Sequence, residues 1–487
     1  MLGGDAPAAS GSMRAEEAPA DITAESLGSA EFRESHRLRY AYVSGAMYKG
    51  IASADLVIRM GQAGMMGYFG TGGLRLEKIE EAISKIKGRL NRGQSFGMNL
   101  LCNLIQPEAE DATVDLFLRH EIRRVEAAAY TQITPSLVRY RLHGAAQDPS
   151  GAVRVSNQVM AKISRPEVAA QFLQPPPPRM VKHLLDTGKV TERQAALAPR
   201  ISMADDLCVE SDSGGHTDNG VPFCLIPAML RLRDDARAAS PAGPSVRVGA
   251  AGGIGTPHAV AAAFILGADF VLTGSINQCT VEGGTSDLAK DLLSAMNVQD
   301  TAMAPAGDMF EIGAKVQVMS KGVFFPARAS KLYELYRKHE SLDEIDEKTR
   351  ANLEARYFQR SFDEVYRETK EFYLKVAPDQ IERAEKNPKA KMALIFRWYF
   401  IHSNRLAQKG IPEGKVDYQI HCGPALGAFN QWVKGTRLED WRNRHADEIG
   451  SLLMNEAAAL LNQRFQQFQG RPGSVRSFST WSPPEHE

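Results

Sequence analysis

Eight short apolar runs punctuate the first 275 residues, and amphipathic stretches separate many of them. The runs are RYAYVSGA (39–46), MMGYFG (65–70), SFGMNL (95–100), RRVEAAAY (123–130), NQVMAKIS (157–164), DDLCVESD (205–212), VRVGAAGG (246–253) and DFVLTGS (269–275). Most are apolar nearly throughout instead of alternating, which predicts strands buried on both faces. Helical periodicity marks LEKIEEAISKIKGRL (76–90), PEAEDATVDLFLRHEI (107–122), CLIPAMLRLRDDARAA (224–239) and PHAVAAAFILG (257–267). Eight strands with helical crossovers predict an α/β fold, a (β/α)8 TIM barrel over residues 38–325. A doubly wound open sheet is the second choice, disfavoured by the count of eight.

The crossover after the fifth run is long. Residues 165–204 hold the proline run QPPPPRM (174–180) and two short helical patterns, an insertion at the barrel's mouth or side. Beyond about residue 300 the strand signal fades, and Glu, Lys, Arg, Leu and Tyr at helical spacing dominate residues 328–385. Helical patterns at 391–410 and 448–468 extend this into a mostly helical appendix over 326–470. The two ends, 1–37 and 471–487, read as disordered tails, because so few large apolar groups cannot offset the entropy of ordering.

Composition narrows the function classes. Lys+Arg and Asp+Glu both number 58, so the basic excess of a nucleic-acid binder is missing, although a local basic patch stays open. Cys102, Cys208, Cys224, Cys279 and Cys422 are scattered without CxxC spacing. Neither a metal centre nor a disulfide framework is expected, and a reducing compartment fits. No segment approaches the ~20 apolar residues of a membrane span, and the first residues lack a signal-peptide core. A cytoplasmic protein is the expectation; its oligomeric state, a homo-oligomer included, stays open.

Three places hold candidate chemistry, each where a predicted strand runs out, the end that forms the active-site mouth of a barrel. In AAGGIGTPHAVAAAFILGADFVLTGS (250–275), Gly252, Gly253 and Gly274-Ser275 close two successive strands. Backbone N–H groups unshielded by a Cβ suit a phosphate there, the alternative being tight turns only. A dinucleotide fingerprint is absent, since no GxGxxG opens the helix. The run CVESDSGGHTDNG (208–220) gathers Glu210, Asp212, His216 and Asp218 around Gly214-Gly215. His216 suits proton transfer near neutral pH; a solvated polar loop is the alternative. The ends VSGAMYKG (43–50) and GMNLL (97–101) offer Gly45, Ala46 and Met47 for a flat ring and Asn99 for its polar edge, or Asn99 is a turn residue. Lys162 stands out as a cation in an otherwise apolar strand.

Together SGAMYKGIAS, FGMNL, ESDSGGHTDN, AAGGIGTPHAVAAAFILGADFVLTGSINQ and YQIHCGPALGAFNQWVKGT (418–436) resemble the PfaD family over residues 38–465. That family comprises the stand-alone enoyl reductases of polyunsaturated fatty acid and trans-acyltransferase polyketide synthases. Its wider superfamily contains FMN-dependent enoyl reductases and nitronate monooxygenases. The resemblance implies FMN as cofactor, NADPH (or NADH) as hydride donor, and an enoyl thioester on an acyl carrier protein as substrate. It implies His216 as the catalytic residue, in a run whose leading Glu is here Asp212. The implied flavin-phosphate contacts are Gly252, Gly253, Gly274 and Ser275, and the ring contacts Gly45, Ala46, Met47 and Asn99. Ala251, Ser213, Gly214 and Gly215 join them as cofactor contacts, with Lys162 at the ring's N1–O2 edge. Two rivals remain: a nitronate-oxidising flavoprotein, and a non-catalytic docking component of a synthase.

Overall fold

A computed structural model describes residues 21–240 and 245–470. Eight parallel strands close into a barrel in chain order: β1 (Tyr42–Ser44), β2 (Met66–Phe69), β3 (Gly97–Leu101), β4 (Arg124–Ala128), β5 (Gln158–Ile163), β6 (Asp206–Glu210), β7 (Arg247–Ala251) and β8 (Val271–Thr273). Closure is the pairing of β1 with β8, Tyr42 opposite Val271 and Ser44 opposite Thr273. Each strand lies within one of the eight apolar runs, β3 passing its run by one residue. The outcome follows from burial on both faces: β1, β2, β7 and β8 have no exposed residue.

The eighth helix of the ring comes from far along the chain. The helix directly after β8, Ser275–Gln278, has only four residues. The place between helices Pro257–Ile265 and Ala54–Gln62 is taken by the last helix, Ala446–Phe468. There Gly450 lets it settle on β1, since a Cβ at that position would lie 2.8 Å from the Tyr42 ring. The expected boundary therefore changes. The barrel core includes residues on either side of 300–400, such as Tyr418, Leu426, Phe429 and Leu453. A second core runs from Ala304 to Phe400, and the single appendix over 326–470 splits accordingly.

Three further expectations are corrected. The strand signal does not end near 300: Thr301–Pro305 and Lys315–Met319 form an antiparallel hairpin that also pairs with Gly215–His216. The insertion 165–204 holds three α-helices, Pro166–Leu173, Pro178–Asp186 and Glu192–Leu197, instead of two. The tail reading of 1–37 fails from Asp21 onward, residues 1–20 lying outside the described residues, as do 471–487. Helix Ala30–His36 plugs the N-terminal end of the barrel, with Phe32 stacked on Phe270 at 4.2 Å. His36 Nε2 meets Asp206 Oδ2 at 2.7 Å, and Arg247 Nε donates to Asp206 Oδ1 at 2.6 Å. Asp206 is wholly buried. Burial works against its charge, but His36 and Arg247 outweigh that and hold its carboxyl below the usual range. One aromatic anchor and one buried ion network suffice where average composition suggests disorder.

Candidate active site

All the residues singled out in the sequence lie at or near the C-terminal strand ends, on one mouth of the barrel. After β6 the chain turns through Ser213, Gly214 and Gly215 into the two-residue strand that carries His216. Gly215 has φ +80°, a conformation open to glycine at little cost. Asp212 anchors this turn, its Oδ1 accepting from Gln317 Nε2 at 2.7 Å and Asn219 Nδ2 at 2.9 Å. The segment 421–423 lies across the turn, since a Cβ on Gly214 would sit 2.8 Å from the Cys422 backbone.

His216 meets Asp308, from the tip of the 301–319 hairpin, with Nε2 3.1 Å from Oδ2. Its side chain is 47% exposed. The bond to Asp308 raises the imidazole above its usual pKa, so His216 stays protonated to higher pH. Asp308→Asn removes that stabilisation of the charged form. The variant's His216 should titrate at lower pH than the wild type's, as followed by NMR of the imidazole C–H resonances. An unchanged titration would show that Asp308 does not set its charge.

A second histidine escapes the sequence reading. His421 lies in the segment YQIHCG, where nothing in the local pattern assigns it a role. Its ring stacks on Tyr48 with centroids 5.0 Å apart, and its Nε2 lies 2.9 Å from Gln419 Nε2. Burial, and after it the charge of His216, push His421 down to about 4. The neighbouring histidines are thus shifted in opposite directions, His216 up beside Asp308 and His421 down by burial.

Beneath the mouth, Lys162 Nζ lies 3.3 Å from Glu126 Oε1 and 3.8 Å from Glu210 Oε1. Burial opposes the ammonium charge, but Glu210 and Glu126 outweigh it and hold Lys162 above its usual range. Glu126 is wholly buried; its Oε2 accepts from Ala46 N–H at 2.9 Å, whereas Oε1 has no hydrogen bond. Burial pushes its carboxyl up despite Lys162 and that N–H. Glu126 also escapes the sequence reading, although an acid inside the apolar run RRVEAAAY is the same signal that marks Lys162. Asn99 turns its side chain inward, Nδ2 donating to the Glu126 carbonyl at 2.9 Å. Asp218 does not join His216. It pairs with Arg165 and Ser164, which hold it down to about 2 and tie the loops after β5 and β6 together.

The ends of β7 and β8 bring several unpaired backbone donors together. Among the described residues, the backbone N–H groups of Gly252, Gly253, Gly274 and Ser275 donate no hydrogen bond within the chain. Gly252 and Gly253 have φ +79° and +71°. A Cβ built on Gly253 or Gly274 would meet no atom within 4 Å, so both face open space. Ser275 Oγ accepts from Gly423 N–H at 2.9 Å, fixing the hydroxyl beside these donors. Unused N–H donors over open space, next to the end of β1 that pairs with β8, fit a phosphate-bearing cofactor. Among the described residues no cluster of His, Cys, Asp and Glu is arranged for a metal ion, and no helix is long and apolar enough to cross a membrane.

Known proteins match this architecture in two parts. The family model for nitronate monooxygenase matches residues 33–318. A model described as the inserted helical domain of [acyl-carrier-protein] S-malonyltransferase matches residues 339–418. The crystal structure of the enoyl reductase domain of MlnA, from the macrolactin biosynthesis cluster of Bacillus amyloliquefaciens, superposes with a TM-score of 0.88 at 47% identity, covering 91% of this chain and 99% of that one. Polyketide biosynthesis protein PksE of Bacillus subtilis is 59% identical over 92% of this chain, which spans 58% of that protein. A polyunsaturated fatty acid synthase component of Thraustochytrium sp. is 44% identical over 85% of this chain, which spans 28% of that component. The chain thus belongs to the nitronate monooxygenase family, in its PfaD-like branch, where the barrel carries a helical lobe.

Proposed function

We propose that this chain is an FMN-dependent enoyl reductase that acts in trans, using NADPH or NADH, on enoyl thioesters held by an acyl carrier protein. The observation that carries the proposal is the meeting, on one barrel mouth, of the unused N–H groups and the His216–Asp308 pair. The likeness to the MlnA domain and to two synthase proteins supports it. The higher identity to PksE, 59% against 44%, favours a polyketide pathway over a polyunsaturated fatty acid one.

In this reading Gly252, Gly253, Gly274 and Ser275 bind the FMN phosphate, while Gly45, Ala46, Met47 and Asn99 flank the ring. Ala251, Ser213, Gly214 and Gly215 shape the rest of that contact. FMN held there would supply the hydride-transfer chemistry that links the nicotinamide to the β-carbon of the enoyl thioester. Lys162 keeps a positive charge inside the barrel, where it offsets negative charge gathered on the bound ring. With Nε2 turned to Asp308, His216 offers its Nδ1 proton to the α-carbon of the substrate. Its exposed face allows reprotonation from solvent.

The test is the carrier itself. Crotonyl-loaded carrier protein, incubated with the chain and NADPH, should gain two hydrogens by intact-protein mass spectrometry. Oxygen consumption with alkyl nitronates and no gain on the carrier would assign the chain instead to the oxidase rival, whose name the family model bears.

A further inference from the structure

Beside the His216 pair the mouth holds a second polar cluster that the reduction leaves unused. Lys49 follows β1 with φ +52°, a conformation rare for a residue with a side chain. Two backbone bonds impose it: Lys49 N–H to the Gly72 carbonyl at 2.6 Å and Gly50 N–H to the Gly70 carbonyl at 2.9 Å. The stem then runs across Gly73, where an added Cβ would lie 3.1 Å from Lys49 Cγ. Its Nζ donates to Asn404 Oδ1 at 2.7 Å. Asn404 is oriented in turn by its Nδ2 bond to the Tyr48 hydroxyl.

This half-buried ammonium has a neutral acceptor and, among the described residues, no carboxylate within ion-pair distance. Arg405, next to Asn404 on helix Pro388–Lys409, adds a second cation; it is exposed and has no ion pair among the described residues. Burial, then repulsion from Arg405, depresses the Lys49 ammonium. The other titratable groups nearby do not compensate. His421 also faces Lys49 and is neutral, and Asp308 is engaged by His216. A partly desolvated cation without a counter-charge is costly, and holding it in place by a strained backbone makes sense where a ligand supplies the anion. A lysine point charge beside a guanidinium fork suits a phosphate.

We propose that Lys49 and Arg405 form an anion subsite at the barrel mouth that takes a phosphate ester of an incoming ligand. The two sources are the 2′-phosphate of NADPH and the phosphate of the carrier's pantetheine arm. The choice of sources rests on the enoyl reductase reading, whereas the anion chemistry does not.

The test is calorimetric, on flavin-loaded full chain in phosphate-free buffer. Adenosine 2′,5′-bisphosphate is compared with adenosine 5′-monophosphate, and 4′-phosphopantetheine with pantetheine. One phosphorylated probe should bind about tenfold more tightly than its partner, weakening with salt. Lys49→Met, which keeps the apolar stem, and Arg405→Gln should each erase that preference. A preference for the bisphosphate assigns the nicotinamide phosphate, and one for phosphopantetheine assigns the carrier arm. No preference for either, or one that survives both substitutions, overturns the subsite. Failure to reduce any enoyl thioester would instead overturn the reductase reading and leave the phosphate preference intact.

Discussion

Gly274→Leu should purify as a folded, colourless protein. A Cβ at this position meets nothing within 4 Å, and its φ of −127° avoids the left-handed region. The chain should therefore tolerate the leucine, while the added bulk fills the space over the four unused N–H groups. Hydrogen bonds to a charged group contribute about 1.5–3 kcal/mol each. Losing two of them weakens flavin binding by roughly a hundredfold or more. The ratio of visible to ultraviolet absorbance reads occupancy, and thermal unfolding of the flavin-stripped proteins reads the fold. Full occupancy with an unchanged unfolding curve would remove the phosphate assignment. Neighbouring glycines are poorer tests. Gly253→Val adds the cost of a side chain at φ +71°, and a Cβ on Gly252 would lie 2.7 Å from the Ser211 carbonyl carbon.

His216→Ala should give the opposite phenotype, a yellow enzyme that stalls. The side chain is half-exposed and packs into no core, so folding and flavin binding should survive. Reduction of the flavin by NADPH should keep its rate. Its reoxidation by an enoyl thioester should slow by about 10²–10⁴-fold, the usual contribution of a positioned general acid. Rapid mixing separates the two phases. Equal slowing of both would point to a damaged flavin site, and no slowing of the second would take the proton donor away from His216.

How far the sequence reveals this site depends on the range of each interaction. The eight strands are legible because parallel strands buried on both faces leave contiguous apolar runs, and β1 to β8 all fall on them. The helix Ala446–Phe468 is legible as a helix, but its place in the ring is not. That place depends on contacts such as Gly450 against Tyr42, from opposite ends of the chain. The hairpin is obscured because Thr301–Pro305 is short and mixed in character, so Asp308 goes unseen although its bond to His216 favours the charged imidazole. Composition misleads at the N-terminal helix, where Phe32 and His36 supply most of the burial. The glycines after β7 and β8 and the His216 turn are found together because their chemistry is local: a phosphate needs bare N–H groups at a strand end, and a turn needs φ near +80°.

Anaerobic spectroscopy of the flavin follows both half-reactions in one cuvette. NADPH added to the purified chain should bleach the absorbance at about 450 nm, where oxidised flavins absorb. A crotonyl thioester added next should restore it. A flavin that stays bleached after the thioester, or a protein that carries no flavin, would contradict an FMN-dependent enoyl reductase.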